Sequence, residues 1–151
     1  MDKIVVTNRK AHRDYNILKV WEAGIELKGS EVKSIRDVRA NLNDSFARVE
    51  NGQILLYNMH ISPYDRASVF NVEPQRVRRL LLHKNQISKI AGEVFQRGLT
   101  LVPLRLYFNE RGFAKVELAL CRGKKLYDRR RDMMRREADL EIKRAMKSRR
   151  K

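Results

Sequence analysis

FARVENGQILLYNMHI, residues 46–61, is the stretch that decides the fold. Its two halves, FARVE and QILLYNMHI, are rich in the aliphatic, β-branched and aromatic side chains that favour strands. Asn51-Gly52 between them is the preferred pair for a type I′ turn, in which both central residues take positive φ. The stretch therefore predicts an antiparallel β-hairpin.

Further segments with strand character lie on both sides of this hairpin. Residues 15–27, YNILKVWEAGIEL, are predicted to form two short strands or one bent strand with a bulge at Gly24. Residues 99–108 and 113–122 are joined by Asn109-Glu110-Arg111-Gly112, and the second of them alternates apolar and polar side chains. That alternation is typical of a strand buried on one face.

Three short helices are predicted between the strands. In EVKSIRDV, residues 31–38, the preceding Gly29-Ser30 offers an N-cap, and we expect Glu31, Lys33 and Arg36 to point outward. PQRVRRLLLH, residues 74–83, is predicted to be a helix with proline at its first position.

The third predicted helix is NQISKIAGEVFQR, residues 85–97, which should end at Gly98. Its apolar face is expected to carry Ile87, Ile90, Ala91, Val94 and Phe95. With about six strands and three short helices, the chain is predicted to be mainly β with some α. We expect an OB-like six-stranded antiparallel barrel over residues 1–122, followed by a basic C-terminal tail over residues 123–151.

The charge of the chain is strongly positive. Lys and Arg number 34 against 18 Asp and Glu, which gives a net charge of +16 and a pI near 10.5. Residues 122–151 alone hold 14 of the basic and 5 of the acidic residues. A polyanion such as nucleic acid is the expected partner. The apolar runs are too short to span a bilayer, and the single Cys121 fits a reducing compartment, so we expect a cytoplasmic protein without membrane contact.

Catalytic patterns are weak in this sequence. His12, His60 and His83 fall on three different predicted elements, and a lone cysteine such as Cys121 is more often a packed apolar residue than a nucleophile. No phosphate-binding glycine loop and no zinc-ligand spacing are present in the sequence. We therefore expect a protein that is not an enzyme and has no cofactor or metal.

Two segments offer contacts for RNA, each with a plainer alternative. NRKAHRDY, residues 8–15, is either a frayed basic lead-in or a set of phosphate donors beside a tyrosine that could stack. In residues 76–84, the cations around three leucines are either a solvated face over a packed core or a basic rim around an exposed apolar side chain.

Several motifs in order along the chain resemble a known family. They are NRKA followed by Tyr15, EAGIELKGSEVKSIR, NLNDSFARVENGQILLYNMHISPY, RRLLLHK and CRGKKLYDRR. Together they resemble the small protein B family, the tmRNA-binding (SsrA-binding) proteins of bacterial trans-translation. In the family order Ala-Arg-His-Asp-Tyr, the histidine and the basic residue are exchanged here, which leaves open whether His12 or Arg13 takes the histidine's place.

The resemblance implies an OB-like barrel that binds the tRNA-like domain of tmRNA and delivers it to stalled ribosomes without catalysing a reaction. It implies a monomer bound with tmRNA, and it adds the small ribosomal subunit and ribosomal RNA as partners. The family's tail is disordered when free and forms a helix in the empty mRNA channel and decoding region. In this chain Met134, Ala138, Ile142 and Ala145 form a thin apolar stripe, which is too weak to stabilise an isolated helix in water.

By motif, the resemblance relates Glu31, Leu81, His83 and Lys115 to binding of the tRNA-like domain. Together with the basic segments, the expected RNA contacts are Asn8, Arg9, Lys10, His12, Arg13, Tyr15, Glu31, Lys33, Arg36, Arg79, Leu81, His83, Lys84 and Lys115. The expected ribosome contacts in the tail are Gly123, Lys124, Lys125, Tyr127, Asp128, Arg129, Arg130 and Arg131.

Overall fold

Nine strands and four helices are present in the computed structural model, which describes residues 2–64, 72–123 and 126–149; for residues 126–132 and 148–149 it describes the backbone alone. In chain order the elements are β1 Lys3–Thr7, α1 Arg9–Asp14, β2 Tyr15–Ile25, α2 Gly29–Arg36, β3 Ala40–Asn41, β4 Phe46–Glu50, β5 Gln53–Tyr57, β6 His60–Ile61, β7 Arg78–Leu81, α3 Lys84–Arg97, β8 Thr100–Phe108, β9 Ala114–Gly123 and α4 Leu126–Arg149.

The main sheet closes into a barrel. Its seven strands follow the order β1-β8-β4-β5-β7-β2-β9, and β8 also pairs with β9, so six strands form a ring and β1 lies outside it against β8. Every pairing is antiparallel, and β4 meets β8 at the single pair Ala47–Leu101. The predicted mainly-β fold with an antiparallel barrel is confirmed, with one more strand in the sheet than the six expected.

The hairpin predicted around Asn51-Gly52 is confirmed, and its two strands are β4 and β5. Asn51 and Gly52 have φ of 50° and 74°, the positive values that a type I′ turn requires. The helix predicted over residues 85–97 is confirmed as α3, and Gly98 ends it in the left-handed conformation with φ of 62°. Phe95, however, is 74% exposed rather than part of the buried face.

The helix predicted over residues 74–83 is wrong, because residues 78–81 form β7, one of the six strands of the ring. In this strand Arg78 and Leu80 are buried while Arg79 and Leu81 are exposed, which is the two-residue period of a strand. An arginine on the buried side concealed that period in the sequence.

β2 is one continuous strand, so the predicted bulge at Gly24 is also wrong. The register shift on β2 lies between Ile17 and Lys19, where its pairing with β9 changes step. Gly24 pairs regularly with Leu81 of β7 on one side and with Lys115 of β9 on the other. Its lack of a side chain therefore serves a close approach between strands rather than a bulge.

The interior of the barrel is a single apolar core that α2 and α3 close. Its buried residues include Ala23, Ile25, Ile35, Leu42, Ile54, Leu56, Leu80, Ile90, Leu101, Leu106, Val116, Leu118 and Leu120. A second, smaller cluster lies beneath α1 and contains Ala11, Val102, Leu104, Ala119 and Cys121. Burial raises the pKa of the Cys121 thiol to about 11, so this cysteine is a packed apolar residue and not a nucleophile.

α4 contrasts with the helices of the barrel. All side chains from Met133 to Lys147 are exposed, including Met134 at 70% and Ile142 at 56%. The predicted apolar stripe is therefore not packed against the barrel. That the tail is disordered when free stays a prediction, as does the division of the chain at residue 122.

Candidate nucleic-acid interface

A row of residues crosses the outer surface of four adjacent strands. Gly24 of β2 pairs with Leu81 of β7 and with Lys115 of β9, and Lys115 pairs with Tyr107 of β8. Two of the expected RNA contacts, Leu81 and Lys115, thus lie on either side of one glycine. We call Leu81, Gly24 and Lys115 the outer row.

Gly24 itself is buried, and the Leu81 side chain lies over it. A Cβ atom placed on Gly24 would lie 3.2 Å from the Cβ of Leu81, which is tighter than ordinary van der Waals contact. Leu81 is nevertheless 45% exposed, although it belongs to a regular strand. An exposed leucine next to a lysine combines an apolar contact for an unstacked base with a cation for phosphate.

A polar network adjoins the outer row on the same face. The Tyr107 hydroxyl donates a hydrogen bond of 2.5 Å to Glu22, and Arg105 donates one of 2.5 Å to Glu117. The Arg105 guanidinium also lies 4.7 Å from the centre of the Tyr107 ring. Burial and the bond to Glu22 raise the pKa of Tyr107, so its hydroxyl keeps its proton and holds the carboxylate in place.

Sequence reasoning did not find these four polar residues. Glu22 and Glu117 are directly opposite each other on β2 and β9, where two carboxylates alone would repel. Arg105 and Tyr107 from β8 donate hydrogen bonds to these two carboxylates and so offset their repulsion. The strand pattern places Glu22 on the outer face, which could have marked it as a polar surface residue. Its partner Tyr107 lies in a distant segment and could not be identified from that pattern.

Three more of the expected RNA contacts lie near one end of the outer row. Arg79 is on the same side of β7 as Leu81, and its guanidinium is 3.1 Å from Glu26. His83 is the N-cap of α3 and Lys84 is its first residue, and both side chains are exposed. These cations extend the basic character of the outer row along β7.

The predicted contacts at the N-terminus form a separate group on α1. Asn8 is buried as its N-cap, with its side-chain amide donating to the Pro103 carbonyl at 2.9 Å and its Oδ1 accepting from the Ala11 amide. Asn8 therefore positions α1 and is not placed to meet RNA. The exposed basic residues of this helix are Arg9, Lys10, His12 and Arg13, and Tyr15 follows them half-buried at the start of β2.

Lys33 and Arg36 form a third group on α2. Both are exposed, and the Lys33 ammonium lies 5.5 Å from the centre of the Tyr64 ring. α1 precedes β2 and α2 follows it, so the 11 residues of β2 separate the two helices by up to ~35 Å of strand. The structure therefore distributes the expected contacts over three places rather than one.

Glu31 is not on the surface, and the prediction that α2 turns it outward is wrong. Its side chain is 2% exposed. One carboxylate oxygen accepts from Arg76 at 2.6 Å and from the Lys28 amide at 2.8 Å, and the other accepts from Arg78 Nε at 2.7 Å. Burial opposes ionisation, but these bonds outweigh it and hold the pKa of Glu31 below its usual value.

The reason for this error is the pairing of charges inside the protein. Arg78 is completely buried, and burial lowers its pKa while Glu31 acts to raise it. A glutamate in the first turn of a helix gives no sign in the sequence of whether it pairs inward. We call Glu31, Arg76 and Arg78 the buried charge cluster.

The expected tail contacts can be placed only in part. Gly123 is the last residue of β9, and Tyr127, Asp128, Arg129, Arg130 and Arg131 belong to α4 by their backbone. Lys124 and Lys125 lie outside the described residues. Gly123 pairs with Tyr15, so α4 leaves the barrel beside the α1 group.

Metal-site and membrane-span features can be stated for residues 2–64, 72–123 and 126–149. Within those ranges, no three His, Cys, Asp or Glu side chains come together as a metal site would require. The helices there include none that is both long and apolar enough to cross a bilayer.

The fold, the charge of +16 and the outer row with its flanking cations define a small basic β-barrel of the nucleic-acid-binding class. The model of the family described as SmpB protein matches residues 5–148. The chain belongs to the SmpB protein family, which confirms the resemblance seen in its motifs.

Relatives are similar over nearly their whole length. An SsrA-binding protein of Moorella thermoacetica is 56% identical over 99% of this chain and 96% of its own. One of Caldicellulosiruptor bescii is 59% identical over 96% of this chain and 91% of its own. A solved structure described as "tmRNA-SmpB: a journey to the center of the bacterial ribosome" has 55% identity and a TM-score of 0.67, over 80% of this chain and 85% of the other.

Proposed function

We propose that this protein binds the tRNA-like domain of tmRNA (SsrA RNA) and delivers it to stalled ribosomes during trans-translation. The observation that carries the proposal is the outer row, where an exposed leucine and a lysine lie on either side of a buried glycine on adjacent strands. Family membership supports it, since the relatives are named for binding SsrA and a similar solved structure is described with tmRNA and the ribosome. The role is that of a binding protein without catalysis, acting in the cytoplasm.

The surface chemistry suits a structured RNA with exposed bases. Leu81 offers apolar contact to a base in a loop, while Lys115, Arg79, His83 and Lys84 supply donors for phosphates around it. The Leu81 side chain is positioned over buried Gly24, and a larger residue at position 24 would displace it.

The cations at the two ends of β2 extend this contact. Arg9, Lys10, His12 and Arg13 on α1 and Lys33 and Arg36 on α2 bind phosphates along the RNA, and Tyr15 supports α1. Asn8 and Glu31 act indirectly, because both are buried and hold α1 and α2 in place.

The tail has a different task in this proposal. α4 carries exposed cations and an unpacked apolar stripe, and it enters the empty mRNA channel of the small subunit beside ribosomal RNA. Gly123, Lys124, Lys125, Tyr127, Asp128, Arg129, Arg130 and Arg131 form its first contacts. The protein is a monomer in its complex with tmRNA.

One experiment with two chains tests both parts. The full chain and a chain ending at Gly123 are titrated with the tRNA-like domain of tmRNA against excess bulk tRNA, and both are assayed for peptide tagging on stalled ribosomes. Both chains should bind the tRNA-like domain selectively, and only the full chain should support tagging. Equal affinity of the full chain for tmRNA and bulk tRNA would favour a general RNA-binding protein instead. A parallel loss of binding and tagging in the shorter chain would refute the division of tasks.

A further inference from the structure

A groove of about 630 Å³ lies between α1, β4 and the C-terminal end of α3. Its volume falls in the range of ~300–1,000 Å³ that small-molecule sites occupy. It opens where β4 meets β8 at only one residue pair. The side chains that decide its chemistry are Lys10, Asp14, Asp44, Phe46, Arg48 and Phe95. We call it the aromatic groove.

Phe95 is the least buried aromatic wall of this groove, with 74% of its surface exposed. It lies one residue beyond Val94, which does pack against the core. A single exposed apolar side chain is ordinary on a protein surface. Here, however, Phe95 lines the same groove as the half-buried Phe46 and Tyr15.

Arg48 supplies the second flat surface. Its guanidinium lies 5.3 Å from the ring centre of Phe46 and 5.6 Å from that of Tyr57, and the two rings are stacked at 5.4 Å. Within the described residues no carboxylate lies within 4 Å of this guanidinium. The rings therefore hold an exposed, unneutralised guanidinium in a fixed orientation.

The charges on the groove itself balance. Lys10 and Arg48 line the groove together with Asp14 and Asp44; the Lys10 ammonium is 3.9 Å from the Asp44 carboxylate, and Arg13 Nε donates to Asp14 at 3.1 Å. The groove therefore has no net attraction for phosphate. Aromatic faces and guanidinium planes are the surfaces on which unstacked bases pack, and carboxylates accept hydrogen bonds from their amino groups.

The cations that would attract a phosphate lie on α1, at the edge of the groove. α1 forms one wall of the groove and carries the exposed cations Arg9 and Arg13 in addition to Lys10. A nucleotide whose base enters the groove would have its phosphate near these side chains. The base would thus contact the aromatic groove, and the phosphate would contact the cations of α1.

We propose that the aromatic groove holds an unpaired nucleotide of RNA, with its base against Phe95 and Arg48 and its phosphate on the cations of α1. The site is distinct from the outer row, because β4 and β2 are three strands apart in either direction around the barrel. It rests on the proposed function only in requiring an RNA partner. Its occupant is a single-stranded segment other than the one on the outer row.

A fluorescence titration of full-length protein tests whether a base reaches the groove. The variant Phe95→Trp places an indole in the groove, and Phe113→Trp is its matched control on another exposed phenylalanine, in the turn between β8 and β9. Adding a short single-stranded oligoadenylate should quench the indole of Phe95→Trp more strongly than that of Phe113→Trp. Quenching of equal size in both variants would overturn the proposal.

Affinities measured by fluorescence anisotropy give the second arm. Phe95→Ala and Arg48→Ala should each weaken oligoadenylate binding by about 5- to 100-fold, as expected when one stacked base is lost. Phe113→Ala and Arg111→Ala, which change equivalent exposed residues, should alter it less than about twofold. Duplex RNA should compete poorly, because its bases are already stacked.

The two proposals fail in distinguishable ways. The proposed function is tested by whether the unchanged protein binds the tRNA-like domain selectively. The groove proposal is tested by the fluorescence and anisotropy measurements with oligoadenylate. If the tRNA-like domain binds selectively while Phe95→Ala and Phe113→Ala behave alike towards oligoadenylate, the groove proposal is wrong and the proposed function stands. Circular dichroism checks that each variant is folded.

Discussion

The two sides of β7 use the same residue type in opposite ways. Arg78 and Arg79 are adjacent in the sequence, yet Arg78 is 0% exposed inside the barrel and Arg79 is 46% exposed outside it. The inner side belongs to the buried charge cluster and the outer side continues the outer row. The comparison teaches that in a basic protein the direction of a side chain, and not its charge, decides whether it maintains the fold or meets RNA.

On the inner side, Arg78 joins segments that are distant in the sequence. It donates to Glu31 of α2 at 2.7 Å, to the Met59 carbonyl at 2.6 Å and to the Pro74 carbonyl at 3.0 Å. Removing charges from water costs several kcal/mol per ion, which only a complete set of partners offsets. The buried charge cluster therefore depends on each of its members.

On the outer side, the pair formed by Arg79 and Glu26 is a solvent-exposed ion pair with 3.1 Å between its atoms. Such pairs contribute about 0–1 kcal/mol to stability. Arg79 can exchange Glu26 for a phosphate at little cost to the fold, as an RNA contact must.

The first prediction is that Glu31→Gln lowers the free energy of unfolding by about 3–5 kcal/mol, because Arg78 would remain buried without its counter-charge. The matched change on the outer side, Glu26→Gln, should cost less than about 1 kcal/mol. Urea denaturation followed by circular dichroism measures both values. RNA affinity, corrected for the folded fraction, should be nearly unchanged in Glu31→Gln.

Equal losses of stability in the two variants would show that burial does not separate the two sides of β7. A large loss of RNA affinity in well-folded Glu31→Gln would instead show that Glu31 acts on RNA beyond holding α2 in place.

The second prediction concerns pH and has a smaller effect. The pKa of Glu31 is lower in the folded protein than its usual value near ~4.3, so its contribution to stability is complete above that value and is lost as pH falls through the folded pKa. The unchanged protein should therefore lose stability below pH ~4 more steeply than Glu31→Gln does. Denaturation midpoints measured from neutral to acid pH test this. Parallel curves for the two proteins would contradict it.

The contrast between the two sides of β7 also explains which parts of the fold could be predicted from the sequence. Asn51-Gly52, the apolar period of α3 and the alternation in β9 are local signals, so the hairpin, that helix and the barrel class were predicted correctly. β7 was not, because its strand period includes a buried arginine whose partner Glu31 lies in a distant helix. The aromatic groove was missed for a similar reason, since it combines residues from α1, β4 and α3.

The candidate RNA contacts divide in the same way. Motifs indicated Leu81 and Lys115, but their position on either side of Gly24 depends on the register of three strands. Asn8 and Glu31 belong to other motifs of the same resemblance and prove to be buried. A motif thus marks residues that a family needs, without distinguishing those that bind from those that hold the binding surface together.

The third prediction has the smallest effect on stability and separates fold from binding most directly. In Gly24→Ala the new Cβ would lie 3.2 Å from the Cβ of Leu81, so Leu81 has to move by a few tenths of an ångström. Because replacing glycine within a strand also gains roughly 0.5–1 kcal/mol, the net change in the free energy of unfolding should be close to zero. The exposed Leu81 side chain would be displaced, however, so affinity for the tRNA-like domain should fall several-fold. Gly92→Ala on α3, where a Cβ meets no atom within 4 Å, is the control that should leave affinity unchanged. If Gly24→Ala binds as well as the unchanged protein, the position of Leu81 over Gly24 is not part of the RNA contact and the outer side of β7 acts through its cations alone.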